Sequence, residues 1–264
     1  MSSGPSLPYP DFDYAMTVRG WVQFDSFLSE AQCSRMRDDV TKHVGLCSEF
    51  QVKAGIPGAP DGTAHHSIGG ADSLDELLEH LPLSDHVADF FGGPYVLHAF
   101  NPVTVQPGRP TYVHKIHRDA ATHCGDFRLL MNMLIMVDEF TLENGATYIL
   151  SGSHHHPDPP TADFFFRHAE RITGPVGSIV LFDSRVWHAA GENLSARTRY
   201  AMTLSFSRPF MKPQLDYARL LGEERGAKLS EAARQLIGYN ARVPVSLDEW
   251  YKPRDQRFYR ADQG

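Results

Sequence analysis

The chain has 264 residues, of which 42% are hydrophobic and 22% charged, so it can bury a sizeable core in one main domain. Its formal net charge of −7 argues against binding to a nucleic-acid backbone, which usually requires a basic patch. Three cysteines without CxxC spacing predict neither a disulfide framework nor a zinc knuckle. Because no secretory signal or long apolar run is seen, we expect a cytoplasmic protein without a membrane span.

The first 94 residues are predicted to form a helical support around one strand. Residues 1–13 are rich in Pro, Gly and Ser and indicate a loose arm. Residues 55–72 have the composition of a long surface loop. Hydrophobic periodicity and capping residues predict one strand and three helices, over 21–24, 31–44, 74–81 and 84–91.

Short strands are predicted from residue 95 onward, with turn signals about every ten residues. The candidates are 95–100, 102–106, 112–118, 128–137, 146–150, 176–182, 185–189 and 199–206. Such a block, preceded by helices, indicates a mainly β fold, either a barrel or a jelly roll with helices packed outside. Two further helices, over 215–221 and 230–236, precede an aromatic tail at 250–260 that we expect to be docked.

The triplet His117-Arg118-Asp119 is the first candidate site. Side chains two residues apart on a strand share a face, so Lys115, His117 and Asp119 would point the same way. If His188 joins them, two histidines and one carboxylate form the facial triad typical of non-haem Fe(II) oxygenases. By itself, the triplet is more typical of a charged surface strand, and His188 of a core histidine bonded to a backbone carbonyl.

A protein-kinase catalytic loop also begins with His-Arg-Asp, and the surrounding residues exclude it. That loop needs an Asn five residues after the Asp, where this chain has Cys124. The order at 125–127 is Gly-Asp-Phe instead of Asp-Phe-Gly, and no glycine-rich phosphate loop precedes the triplet. The kinase hypothesis therefore fails.

Arg199 opens a predicted strand with two unlike faces. One face is apolar and the other small and polar, and Arg199 lies on the second face with Ala201, Thr203 and Ser205. An inward guanidinium needs an anionic partner, and its fork geometry suits a carboxylate. Arg197 has the same parity but lies in the turn, so it is the weaker candidate.

Two other polar features lie near these motifs. Asn132 is the single polar residue of the apolar run 129–137, so its amide either ties the core together or faces the site. His154-His155-His156 resembles a metal tract, but nearby prolines indicate a loop, and His155 and His156 are predicted to be surface residues.

The combined motifs resemble the phytanoyl-CoA dioxygenase-like family of Fe(II)- and 2-oxoglutarate-dependent oxygenases. The resemblance covers most of residues 18–210 and rests on four segments. They are 117–119, 143–154 (similar to the family's NGxT…PGSH segment, with Ser151 for the usual Pro), 177–182 running to His188, and 193–195 before Arg199. It implies the double-stranded β-helix fold, a cupin-like jelly roll, in a single domain spanning 1–264. Within that domain it implies helical support over 14–94, the β-helix core over 95–210 and a helical, aromatic tail over 211–264.

Residue by residue, the resemblance implies an iron site beside a cosubstrate site. His117, Asp119 and His188 would bind Fe(II), and Arg199 would bind the distal carboxylate of 2-oxoglutarate. Thr147, Lys115 and Asn132 are expected as further 2-oxoglutarate contacts.

The implied reaction is oxidation of a small molecule by O2, coupled to the conversion of 2-oxoglutarate to succinate and CO2. The substrate would be a natural-product or lipid-like intermediate, hydroxylated at an unactivated C–H bond. Sister halogenases lack the carboxylate ligand, so Asp119 favours hydroxylation. The alternative is a cupin-like metal protein of another class, such as an isomerase, a hydrolase or a non-catalytic sensor. Neither the substrate nor the oligomeric state follows from the residues.

Overall fold

The computed structural model describes residues 8–57, 59–109 and 111–263. Helices within this part are α1 Tyr9–Val18, α2 Glu30–Lys53, α3 Ser73–Glu79, α4 Ser84–Phe91, α5 Ala162–His168, α6 Tyr217–Gly226, α7 Glu231–Ile237 and α8 Leu247–Trp250. Strands are β1 Trp21–Phe24, β2 Val96–Val105, β3 Leu130–Met136, β4 Thr147–Ile149, β5 Glu170–Ile172, β6 Ile179–Asp183, β7 His188–Ala189 and β8 Arg199–Ser207. Only 19% of the chain is strand, so "mainly β" is wrong and the fold mixes helices with antiparallel sheets.

The strands form two antiparallel sheets. The larger sheet has the order β1-β6-β3-β8-β2, and the smaller has the order β5-β4-β7. Within the larger sheet, β8 pairs with β3 on one side and with β2 on the other. Arg199, at the start of β8, therefore lies opposite Val105, and Ser205 lies opposite both Ala99 and Asn132.

The larger sheet is covered differently on its two faces. Alternate side chains of β3 pack against the helices, and the intervening ones face the smaller sheet. The helix-facing cluster includes Met131, Met133, Ile135, Leu181, Leu204, Phe12, Val87 and Phe90. The inter-sheet cluster includes Leu134, Met136, Ile149, Ile172, Val180 and Ala201. Asn132 has the parity of the inter-sheet face, where the candidate site also lies.

Several predicted elements needed correction in the strand block. The strands predicted at 95–100 and 102–106 form one strand, β2, because Pro102 lies on an edge strand, where a missing N–H is tolerated. The strand predicted at 112–118 is wrong: Tyr112–His114 forms a 3-10 turn, and only His117 bridges to another strand. β5 was missed.

The N-terminal segment also differs from its prediction. Residues 9–13 were predicted as part of a loose arm, but they begin α1; residues 1–7 lie outside the described part. Prolines in the first turn are compatible with a helix start, and Phe12 and Met16 anchor the helix in the core. α2 extends to Lys53, well beyond its predicted end. The 55–72 loop contains neither helix nor strand among its described residues, as predicted.

The aromatic tail is docked in part. The Arg242 N–H donates to the Phe258 carbonyl (3.2 Å), and the Arg260 N–H donates to the Asn240 carbonyl (2.9 Å). Trp250 and Tyr251 are nevertheless exposed. All three cysteines are free, as the sequence predicts. Among the described helices, none has the length and apolar character that a membrane crossing requires.

Candidate metal centre

Three side chains converge where the two sheets meet. One ligand atom each from His117, Asp119 and His188 lies within 4.8 Å of the others. His117 Nε2 is 3.6 Å from Asp119 Oδ1, and His188 Nε2 is 3.7 Å from Asp119 Oδ2. Two imidazoles and a carboxylate at this separation form a donor set that fits non-haem iron.

Backbone hydrogen bonds bring the two distant segments together. His117 and His188 exchange N–H to carbonyl bonds of 3.0 and 2.9 Å, which form the bridge between an irregular segment and β7. The Asp119 N–H donates to the Ser184 carbonyl at 2.9 Å. Residues 117–119 are thus held by hydrogen bonds along residues 184–188, although they do not themselves form a strand.

Both histidine rings are oriented by a carbonyl two residues earlier. His117 Nδ1 donates to the Lys115 carbonyl at 2.7 Å, and His188 Nδ1 donates to the Val186 carbonyl at 2.9 Å. A proton on Nδ1 leaves the Nε2 lone pair free for a metal. Burial lowers the pKa of His188, against the raising effect of the Asp119 charge, so its neutral, ligating form is favoured.

Asp119 is held by a chain of two hydrogen bonds. The Asn132 amide donates to Asp119 Oδ2 at 2.5 Å, and the Ser205 hydroxyl donates to Asn132 Oδ1 at 2.6 Å. Asn132 is fully buried and does not line the cavity. Of the two roles left open for this amide, the structure shows contact with the site through the Asp119 carboxylate.

A cavity of about 200 Å³ connects this cluster to Arg199. Arg199 is buried, its Nη1 donates to the Gly145 carbonyl, and its guanidinium lies 3.9 Å from the Phe140 ring centre. Its Nε has no hydrogen-bond partner within the described residues. Burial, together with Arg171, lowers the pKa of Arg199 to about 9. A buried cation without a counter-charge is a ready site for a carboxylate.

Of the other two candidate 2-oxoglutarate contacts, Thr147 lines the cavity and Lys115 does not. Thr147, at the start of β4, lines the cavity together with Arg199, Ala201, Thr203 and Ser205, the polar face predicted for β8. Lys115 does not line it: its side chain is exposed, and it contributes only its carbonyl to His117.

The His154–His156 tract lies outside the three-residue cluster. His155 and His156 are exposed, as predicted. His154 is buried and lies 3.2 Å from the Thr17 carbonyl.

His98, Asn101 and Tyr112 are among the cavity residues that sequence reasoning missed. Tyr112 belongs to the 3-10 turn that had been predicted as a strand. His98 and Asn101 lie on β2, and no sequence signal distinguishes them from other polar strand residues.

Comparisons with known proteins agree with this geometry. The model of the family described as phytanoyl-CoA dioxygenase matches residues 17–201. The uncharacterized protein Rv1501 of Mycobacterium tuberculosis is 34% identical over 170 residues, which is 64% of this chain and 61% of that relative. The chain therefore spans less than two thirds of that relative's length. Dioxygenase ALT11 of Alternaria alternata is 27% identical over 91% of this chain and 85% of its own length.

The fold also occurs among solved structures. The epimerase SnoN in complex with Fe3+, alpha ketoglutarate and nogalamycin RO superimposes with a TM-score of 0.58 at 15% identity. The match covers 75% of this chain and 83% of that one. At this identity the match shows a shared fold.

Proposed function

This chain belongs to the phytanoyl-CoA dioxygenase family, and from that premise we propose that it is an Fe(II)- and 2-oxoglutarate-dependent hydroxylase of a small molecule. The observation that carries the proposal is one cavity with a His-Asp-His cluster at one end and, at the other, a buried arginine that has no acidic partner among the described residues. One oxygen atom of O2 would enter the C–H bond of the substrate and the other would enter succinate, as 2-oxoglutarate loses CO2.

His117, Asp119 and His188 would hold the iron. The fit is supported by two imidazoles with Nε2 free and by a carboxylate fastened through Asn132. Bound Fe(II) supplies Lewis acidity and the redox chemistry that O2 requires. The chain's own contribution would be to supply three donors, which would leave coordination positions for other ligands.

Arg199 would hold the distal carboxylate of 2-oxoglutarate, with Thr147 beside it. The support is the unpartnered Nε and the absence, among the described residues, of an acidic side chain paired with Arg199. Lys115 is not proposed for this role, because its ammonium is outside the cavity. Presence of Asp119 favours hydroxylation over halogenation, since it occupies the place that a halide ligand would need.

The same family membership supports a double-stranded β-helix built from the two sheets, in one oxygenase domain. We also propose a cytoplasmic location and a small-molecule substrate without a nucleic-acid partner, consistent with the negative net charge.

Anaerobic addition of Fe(II) and 2-oxoglutarate tests the proposal. We expect a weak visible charge-transfer band, lost in His117→Ala, and succinate release when O2 and a substrate are supplied. A band of unchanged intensity in His117→Ala would refute the assigned ligands.

Epimerisation is the second candidate, because a protein of this fold is the epimerase SnoN. Product mass separates the two reactions. A hydroxylated product gains the mass of one oxygen atom, whereas an epimer has the mass of its substrate.

A further inference from the structure

The cavity wall formed by β2 carries polar groups that the proposed iron and 2-oxoglutarate roles do not use. Ala99, Asn101, Val103 and Val105 line the cavity at alternate positions, as the two-residue period of a strand requires. His98 breaks this alternation and lines the cavity as well.

A β-bulge accounts for the position of His98. Leu97 pairs with Phe206 and Ala99 pairs with Ser205, so His98 is an extra residue without a partner on β8. A bulge redirects a side chain, and bulges are common beside active sites. The His98 carbonyl accepts a 2.9 Å hydrogen bond from the Gln214 N–H, and Gln214 also borders the cavity. The bulge is therefore fastened by the segment after β8.

Two side chains on this wall have unused hydrogen-bonding groups. His98 Nδ1 and Asn101 Oδ1 are buried and have no partner among the described residues. Buried polar atoms without a partner are rare in native proteins, and each one calls for an explanation. At the other end of the same cavity, the unpartnered Nε of Arg199 has the proposed 2-oxoglutarate as its explanation.

The position of these side chains along the sheet separates them from Arg199. Val105 pairs with Arg199, whereas Asn101 pairs with Thr203 and lies about 13 Å further along β2, at about 3.3 Å per residue. Ala99, next to His98, pairs with Ser205, which is linked to Asp119 through Asn132. His98 and Asn101 thus lie toward the metal end of the cavity, beyond the proposed 2-oxoglutarate anchor.

The charge of the cavity restricts what can bind there. Of the described residues that line it, Arg199 is the only Lys or Arg, and 2-oxoglutarate would use it. Burial lowers the pKa of His98, against the raising effect of the Asp119 charge, so the neutral imidazole is favoured. A neutral imidazole and an amide bind hydroxyl groups well, but they do not neutralise a phosphate or a carboxylate.

We propose that His98 and Asn101 determine substrate specificity by hydrogen bonding to hydroxyl groups of an uncharged substrate, such as a sugar or a hydroxylated ring system. Coenzyme A thioesters and phosphorylated compounds are poor substrates under this proposal. The inference rests on the proposed oxygenase function, because it assigns Arg199 to 2-oxoglutarate.

A paired panel of compounds tests the substrate class. Enzyme loaded with Fe(II) and 2-oxoglutarate is supplied with uncharged hydroxylated compounds, their phosphate or carboxylate derivatives, and coenzyme A thioesters, and succinate is measured. We expect uncharged members to stimulate succinate release at least tenfold more than their charged counterparts. Stimulation by charged members, or none by any uncharged member, overturns the proposal. Failure of the wild type to bind Fe(II) and 2-oxoglutarate would instead refute the proposed function.

Two variants test the residues themselves. His98→Phe keeps a planar ring and Asn101→Leu keeps a side chain branched at Cγ, but both remove the hydrogen-bonding groups, and each should raise the KM of a stimulating compound about tenfold. The Kd for 2-oxoglutarate should stay as in the wild type, which shows that each variant is folded. His98→Gln should recover part of the lost affinity, and His80→Phe, at an exposed histidine, is the matched control. An unchanged KM in both variants overturns the assignment.

Discussion

The two ends of the cavity are prepared for their ligands in opposite ways. At the metal end, each donor is already fixed: His117 and His188 by backbone carbonyls, and Asp119 by Asn132. At the other end, Arg199 has a buried Nε without a hydrogen-bond partner in the part of the chain that the structure describes. The metal end therefore holds its donor geometry before a ligand arrives, whereas at the arginine end a bound carboxylate would give the buried guanidinium a counter-charge. Damage to the two ends should have separable effects.

Asp119→Ala should have the largest effect, because it removes one of three donors. We expect metal affinity to fall by more than about 100-fold, since even loss of a residue that only orients a ligand costs about 10–100-fold. Anaerobic Fe(II) titration measures this, and the charge-transfer band with 2-oxoglutarate should disappear. Asp158→Ala, at an exposed acid, is the control. Wild-type Fe(II) affinity in Asp119→Ala would exclude the carboxylate as a ligand.

Arg199→Leu should separate the arginine end from the metal end. Loss of a charged hydrogen-bond donor, about 1.5–3 kcal/mol, should raise the Kd of 2-oxoglutarate about 10- to 150-fold. Fe(II) affinity should change little, because Arg199 contacts none of the three donors. Arg197→Leu, on the same strand parity but exposed, is a matched control and should keep wild-type 2-oxoglutarate binding. Equal losses in both variants would mean that general charge, and not the buried guanidinium, attracts the cosubstrate.

Asn132→Leu tests whether metal binding depends on the hydrogen bond from Asn132 to Asp119. The variant removes the donor to Asp119 but keeps a side chain branched at Cγ, and metal affinity should fall about 10–100-fold. Ser205→Ala removes only the hydrogen bond to Asn132, worth about 0.5–1.5 kcal/mol, so it should cost roughly threefold to tenfold. If Ser205→Ala costs as much as Asn132→Leu, the amide does not transmit its effect through Asp119 alone.

The arginine end of the cavity lies on a regular strand, whereas His117 and Asp119 at the metal end lie on irregular backbone. This difference explains what could be predicted from the sequence. Where a strand carries the site, its two-residue period indicates which side chains share a face. Arg199, Thr203 and Ser205 line the cavity for that reason, and their apolar neighbours enter the core. The β8 prediction was therefore confirmed at the level of single residues.

Irregular backbone limited the prediction at 112–119. The Thr111 N–H donates to His114 Nδ1 (2.9 Å), and the His114 N–H donates to the Thr111 carbonyl, which stabilises a 3-10 turn in place of a strand. His117 and Asp119 still lie close together, because hydrogen bonds to residues 184–188 hold them there and not because they share a strand face. Lys115 does not line the cavity. The bulge at His98 could not be predicted from the sequence either, because a bulge is defined by the pairing of a strand with its neighbour.

The smallest expected effect concerns stability, and it contrasts two buried histidines. His188 Nε2 lies 3.7 Å from the Asp119 carboxylate, within the three-residue cluster. His154, in contrast, lies against the Thr17 carbonyl and outside the cluster. Burial lowers the pKa of His154 to about 4, with His155 and Arg185 adding to this effect and Asp183 opposing it. The ordinary pKa of about 6.5 applies to the unfolded chain. Between these values the unfolded chain binds the extra proton, so the free energy of unfolding falls as pH falls from about 6.5 to about 4.

Denaturant unfolding of the metal-free protein at pH 7, 6, 5 and 4 measures this slope. A single histidine contributes at most about 1.4 kcal/mol per pH unit. His154→Gln should therefore lower the unfolding free energy at pH 7 but reduce its further loss toward pH 4. His156→Gln, at an exposed histidine, should keep the wild-type slope. Parallel curves for His154→Gln and wild type would show that His154 takes up its proton in the folded state as readily as in the unfolded chain, and that acid sensitivity arises elsewhere.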